Sequence, residues 1–293
     1  MRISKHYLAG VTAFVIWGFF SLGLRPLRQY PSLDILFFRI LFCVVLMLLL
    51  SLAFRRKALK EATAHYRQLT KSARAKLIAA VVASGFLLTA NWFLFIYVMN
   101  HVSVKSASFA YLVCPILTTV LAFFILKEKL TRLQWIAVSI SAAGCVLLSF
   151  NGLLDIFYSL VVAFTYALYL IIQKKITGID KFLLLTVQVG IISLIMLPFL
   201  PAYGSPVPQE TFFYFFILLI AILFTIIPLF LNLYALKTIK SSTVGMLLYI
   251  NPVIGFLLSA FYFNEVISAL QVTGYTLIVI SILLFNRNAF KQL

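Results

Sequence analysis

Acidic residues are nearly missing from this chain: Asp and Glu number 7 in 293 residues, against 24 Lys and Arg. Histidine and cysteine are scarcer still, at 3 each. Carboxylate-pair hydrolysis, imidazole acid–base chemistry and Cys/His metal centres all require such groups to converge, and here they are few and scattered. His6, His65 and His101 fall at or beyond the ends of apolar runs, and Cys43, Cys114 and Cys145 fall inside them. Neither a disulfide framework nor a metal site is indicated. Paired aspartates, a Gly-x-Gly-Asp segment, a Ser/His pairing and a phosphate-binding glycine loop are also missing. Asp34 and Asp155 remain as acidic candidates near a membrane face, with nothing to accompany them. The expectation is a chain that is not an enzyme and needs no cofactor.

What is abundant is apolar. Hydrophobic residues fill 63% of the chain and charged ones 11%, which marks an integral membrane protein with no sizeable soluble domain. Alternation of strand length is absent, so an outer-membrane barrel is not expected. Apolar runs between charge and turn clusters predict ten helices, at 7–24, 33–54, 77–99, 104–126, 133–150, 153–172, 182–200, 212–235, 242–263 and 270–286. The fold class read from this is an all-α membrane protein of ten transmembrane helices. Arg2 and Lys5 ahead of the first run resemble a signal peptide, but a small-x-small cleavage site is lacking, so the run is read as a retained first helix.

Charge position sets the orientation. The amino terminus, the 55–76 loop, 127–132, 174–181, 237–240 and the carboxyl end together hold twenty Lys and Arg. The alternate connections hold three, Arg25, Arg28 and Lys105, while Arg39 lies within a span. This asymmetry predicts both termini in the cytoplasm. It also explains the net charge of +17 through topology and anionic headgroups rather than nucleic acid. The 55–76 loop carries eight of these charges and reads as a lipid-facing, partly helical segment.

A constant offset of 137 residues pairs Pro115 with Pro252, Glu128 with Glu265 and Gln134 with Gln271, and also Phe93, Leu94, Tyr97 and Phe124 with Phe230, Leu231, Tyr234 and Phe261. With five helices in each half, the second copy is inverted in the membrane relative to the first. The halves expected are 1–150 and 151–293, divided at Asn151-Gly152. Trp17-Gly18 and Tyr166-Ala167 are 149 apart, the excess matching the long loop of the first half. Two inverted bundles with interrupted helices are the pattern of a secondary transporter.

Pro115 frees the carbonyl of Tyr111 and Pro252 that of Leu248, and small residues crowd the turns before each. Both prolines are read as hinges. Polar and aromatic residues near mid-helix are expected to face the interior, since an amide in lipid must find a partner. They are Asn91, Trp92, Tyr97, Tyr111, Tyr166, Tyr169, Gln173, Gln188, Asn232, Tyr249 and Asn251, joined by Trp17 of the first helix. Read together they line a cavity; read singly they are interhelical hydrogen bonds. Arg39, two turns inside its span, either snorkels to the headgroups or anchors an acidic solute. Glu128 and Glu265 are read as closing helix ends.

Asn91-Trp92-Phe93-Leu94-Phe95-Ile96-Tyr97, Tyr111 to Pro115, Lys127-Glu128-Lys129, Gln134-Trp135, Pro228-Leu229, Tyr249-Ile250-Asn251-Pro252 and Glu265 resemble the RarD-type branch of the EamA transporters, in the drug/metabolite transporter superfamily. Cys114 stands where such proteins often have Asn. The resemblance implies two five-helix repeats in a bacterial-type inner membrane and transport, often export, of a small metabolite or drug. Its partners would be the solute and the bilayer, with a homodimer left open and no nucleic acid. An importer or amino-acid facilitator is the alternative within transport, and a non-transporting scaffold or sensor the alternative outside it.

Overall fold

The structure, a computed structural model, describes residues 5–101, 104–148, 153–199, 207–262, 264 and 267–287. Glu265 and the Asn151-Gly152 turn lie outside them. Every regular element among the described residues is helical. The helices are α1 (Lys5–Gly18), α2 (Phe20–Leu24), α3 (Ser32–Phe54), α4 (Arg56–Gln68), α5 (Lys71–His101), α6 (Val104–Leu126), α7 (Arg132–Leu148), α8 (Leu153–Lys175) and α9 (Lys181–Met196). After these come α10 (Thr211–Ala221), a π-helical turn (Ile222–Ile226), α11 (Ile227–Thr238), α12 (Ser241–Leu247), α13 (Ile250–Phe261) and α14 (Ala269–Phe285).

Each of the ten apolar runs coincides with helix. Seven described helices are long and apolar enough to cross a membrane, or eight if the pair α1–α2, bent by 42° at Phe19, is one span. The remaining two apolar helices, α7 and α14, have 17 residues each, at the short end of what spans a bilayer. In the 55–76 loop, α4 is amphipathic with no buried residue, as a helix resting at a lipid surface would be. It is followed at once by α5, whose first turn begins inside the loop.

The elements of the 137-residue repeat are now physical. Lys127 and Asn264, 137 apart, are the two non-glycine residues with positive φ among the described residues, at 56° and 52°. Such a residue ends a helix by turning the chain out of it. Glu128 N then donates to Ala122 O at 3.2 Å, six residues back across the turn. Three residues on, Thr131 and Gln134 bond reciprocally, Thr131 N to Gln134 Oε1 at 3.0 Å and Gln134 N to Thr131 Oγ1 at 3.3 Å. Ser268 and Gln271 repeat this at 2.9 and 3.2 Å. The matched glutamines thus close capping boxes that start α7 and α14.

Packing follows a regular scheme. α1 packs on α11 and α13, and α8 packs on α5 and α6. α3 lies against α9 and α10, while α5 lies against α9. α6 meets α12, and α7 meets α14. The last pair crosses closely because a Cβ on Gly144 would stand 3.0 Å from the carbonyl oxygen of Gly274. On α3 the outward stripe Leu41, Val45, Leu48 and Leu52 is exposed and apolar, with Leu36, Ile40, Cys43 and Met47 buried opposite. That outward stripe is a lipid-facing side.

One end of the bundle gathers the cations. His6 stacks on Tyr234 with ring centroids 4.3 Å apart, Arg55 pairs with Asp180 at 3.5 Å, and Lys240 Nζ donates to Lys129 O at 3.0 Å. Lys174 Nζ donates to Leu236 O at 2.8 Å and Lys181 Nζ to Ile176 O at 2.8 Å. Asp180 caps α9, accepting from Phe182 N and Leu183 N at 3.0 and 3.2 Å. At the far end Tyr30 donates to Glu210.

Candidate functional site

The interior organises itself around the π-helical turn Ile222–Ile226. Pro228 has no amide to return to the carbonyl of Phe224, four residues earlier. Trp17 supplies the missing donor: its Nε1 lies 2.9 Å from Phe224 O. The widened turn leaves other carbonyls reachable as well, with Thr225 Oγ1 donating to Ile220 O at 3.1 Å and Cys43 Sγ to Ala221 O at 3.7 Å. Trp17 therefore has a structural duty, though its ring remains partly accessible beside Phe14. Pro228 follows the one π-helical turn among the described residues, Ile222–Ile226.

One turn before Cys43 on the buried side of α3 sits Arg39. Its guanidinium carbon is 4.9 Å from the centroid of Trp92 and 6.0 Å from that of Phe20. Its Nε is out of contact with solvent and has no hydrogen-bond partner. The ion pair seen among the described residues, Arg55–Asp180, is elsewhere. Arg39 thus rests against two rings while keeping part of its surface accessible.

Tyr111 pairs with Phe95 at 5.2 Å and packs against the core that contains Tyr166. Tyr166 stacks on Tyr169 at 5.7 Å and accepts from Asn232 Nδ2 at 3.1 Å through its hydroxyl. Asn232 is fully buried and its Oδ1 has no partner. Trp92 and Tyr111 thus pack against the core that holds Tyr166, with Arg39 over Trp92 and Asn232 bonded to Tyr166, so that α3, α5, α6, α8 and α11 each contribute one residue to this group.

Other expected site residues fall elsewhere. Asn91 donates to Val162 O at 2.9 Å and Thr165 Oγ1 at 3.2 Å, tethering α5 to α8. Gln188 does the same between α9 and α5 through Ser84 Oγ at 2.8 Å. Tyr97 is 40% exposed and continues an exposed stripe of Ile78, Val82, Phe86 and Phe93, so it stands on the outward face of α5 rather than in the interior. Tyr249 is buried in a separate core with Phe109, Cys145, Ile278 and Phe285. Asn251 is half-buried at the start of α13.

The two prolines differ. α6 runs unbroken through Pro115, so an interruption expected there is not found. The equivalent span breaks at Leu248–Tyr249, and Pro252 sits in the first turn of the restarted helix, where its lacking amide is least missed. Asn251 N donates to Leu248 O at 3.1 Å, the carbonyl that Pro252 leaves free.

Sequence reasoning missed one connection. Glu128 does close a helix end, but that of α12 from the other half. Its carboxylate accepts from Ser241 N at 2.7 Å, Ser242 N at 3.0 Å and Ser242 Oγ at 2.6 Å. A carboxylate there matches the positive end of the helix. The signal was present in the adjacent Ser241-Ser242 and the repeat offset, but nothing local says which helix a carboxylate will reach.

The profile of the EamA-like transporter family matches residues 4–150 and again 153–287. The uncharacterized transporter YojE of Bacillus subtilis is 32% identical over 289 residues, covering 98% of this chain and 95% of its own. The protein RarD of Salmonella typhimurium is 28% identical over 290 residues, covering 96% and 94%. A solved crystal structure superposes with a TM-score of 0.78 over 99% of both chains at 15% identity, which is a likeness of fold alone. Matches across both halves and along the whole length lead to one conclusion: this multi-pass membrane chain belongs to the EamA-like transporter family, in its RarD-like branch.

Proposed function

We propose that the chain is a ten-helix secondary transporter of two inverted five-helix repeats, 1–150 and 151–293, that exports a small solute from the cytoplasm by alternating access. The observation that carries this reading is the exchange symmetry of the bundle. Adding five to each span number, cyclically over ten, turns the α1–α11 contact into α8–α5, α1–α13 into α8–α6, and α3–α10 into α9–α5, while α3–α9, α6–α12 and α7–α14 map onto themselves. The paired positive-φ residues and capping boxes, and the two family matches, support the same division.

Equivalent helices nonetheless differ in shape. The first and ninth spans are bent or broken, at Phe19 and at Leu248–Tyr249, and their mates α8 and α6 are continuous. Two repeats holding different conformations is how an inverted-repeat carrier faces one side at a time. The basic end is latched by Glu128 on α12 and Lys240 on Lys129, whereas α13 is half-exposed along much of its length. The state is therefore read as closed at the basic, cytoplasmic end. Arg39, Trp92, Tyr111, Tyr166 and Asn232, together with Trp17, are the solute site; Pro252 marks the moving segment.

Flux tests the reading. Proteoliposomes loaded with the small-molecule fraction of a bacterial cytosol should lose particular solutes to the outer medium faster than protein-free vesicles do. The chemical identity of those solutes is read by mass spectrometry. Identical loss from both kinds of vesicle overturns transport and leaves the scaffold alternative.

A further inference from the structure

We propose that Arg39 is the anion-binding residue of this site, and that the solute is a small organic anion: one carboxylate or similar oxyanion on a flat, ring-bearing apolar body. The proposal deepens the transport reading above and rests on it.

A guanidinium largely withdrawn from water is stabilised by a counter-charge or by hydrogen bonds, and within a bilayer such residues usually face the interior and are paired; Arg39 is half-buried, with its Nε out of solvent. Arg39 has neither among the described residues: no carboxylate within salt-bridge reach, and no acceptor for Nε. The neighbours it does have are the faces of Trp92 and Phe20. Ring faces attract a cation weakly, by about 0.5–2 kcal/mol, and cannot use its directed donors. Those donors form a fork that fits two oxygens of one oxyanion. Asp34 is buried on the same helix, but it faces Arg39 across no ion pair.

The second observation is independent of charge. Asn232 is buried with one amide atom unpartnered, bonded to Tyr166 of the same core against which Trp92 and Tyr111 pack. A buried polar atom left without a bond costs roughly 1–3 kcal/mol, so it too marks a place reserved for a ligand group. The other members of the group are Trp92, Tyr111 and Tyr166, all aromatic. An anion at Arg39, a ring against the aromatics and a hydrogen-bonding group toward Asn232 would use every one of these features. A cationic solute would meet Arg39 as a like charge, with no acidic group paired with it among the described residues to receive the cation.

Binding by the purified full chain in phosphatidylcholine nanodiscs tests this, with calorimetry as the readout. The probes are benzoate, phenylacetate and indole-3-acetate, each beside its neutral amide, with benzylamine as a ring-bearing cation. At least one carboxylate should bind, its amide much more weakly and benzylamine not at all. Arg39→Met should weaken the carboxylate at least about 30-fold, the low end of what removing one partner of a buried charge pair does, and Arg39→Lys should weaken it less. Loss of an uncompensated charge should leave the unliganded thermal midpoint of Arg39→Met unchanged or raised, which keeps a folding failure distinguishable from a binding one.

No binding by any of the three carboxylates, equal binding of acid and amide, or unaltered affinity in Arg39→Met overturns the assignment. Retention of phosphatidylglycerol by wild type but not by Arg39→Met, with no response to the carboxylates, would give the site to a lipid phosphate and overturn the solute assignment. Carboxylate binding without protein-dependent flux sinks the transport reading and leaves the anion site standing. Flux of neutral solutes that Arg39→Met leaves intact does the reverse.

Discussion

Trp17 shows how a side chain read as a ligand group also serves the fold. Its indole N–H meets a carbonyl that Pro228 left without its helical donor. Trp17→Phe keeps the ring and removes the donor, so Phe224 O is left buried and unsatisfied, a loss of about 1–3 kcal/mol. Pro228→Ala restores an amide four residues on, so the same Trp17→Phe change should cost less than about 1 kcal/mol in that background. Unfolding in mixed micelles of the two single variants and the double variant measures the coupling. Strict additivity would separate the indole from the proline. Asn91 teaches the complementary lesson: an amide at mid-membrane was bound to have partners, and it found them on α8, as a tether.

At the scale of elements, the two matched prolines lie in unlike surroundings because a helix tolerates the missing donor differently along its length. Pro115 falls deep in α6, and the helix continues past it. Pro252 falls in a first turn, after a break. Beside that break Gly18 admits Ile254, whose Cβ would lie 2.6 Å from an added Cβ, so α13 rests directly against the bend between α1 and α2. Pro252→Ala should therefore let α12 and α13 join into one straighter helix and move the far end of α13 relative to α1. Pro115→Ala should leave both helices where they are. Distances between spin labels on α1 and α13, measured by pulsed electron resonance, distinguish the two. Equal shifts in both variants would restore the idea of matched hinges.

For the whole molecule the decisive property is orientation. Contacts already gather His6, Arg55, Lys129, Lys174 and Lys240 at one end, and cationic ends stay on the cytoplasmic side. Cysteine introduced at Ser72 should be shielded from an impermeant thiol reagent added to intact cells, and at Ser205 it should react. The native Cys43, Cys114 and Cys145 are buried and give a low background. Labelling of Ser72→Cys alone would invert the molecule. The same experiment fixes which solution the unlatched end of the bundle meets, because Glu128 closes the end that carries the cations.

The amino-acid sequence determined what depends on near neighbours and on solvent. Apolar run length placed the helices, since a backbone in lipid must bond to itself. Offsets of 137 residues marked the ends of helices, which the structure resolves into left-handed Lys127 and Asn264 and the capping boxes of Gln134 and Gln271. Caps are legible because their partners lie three residues away. Only the tertiary structure decided which face of each helix looks inward and at what. It turned Arg39 toward Trp92, set Tyr97 on the outward stripe of α5, buried Tyr249 in a separate core and sent Glu128 to the start of α12. In a chain apolar on every side of its helices, hydrophobic periodicity carries no direction, and only packing against a particular neighbour supplies one.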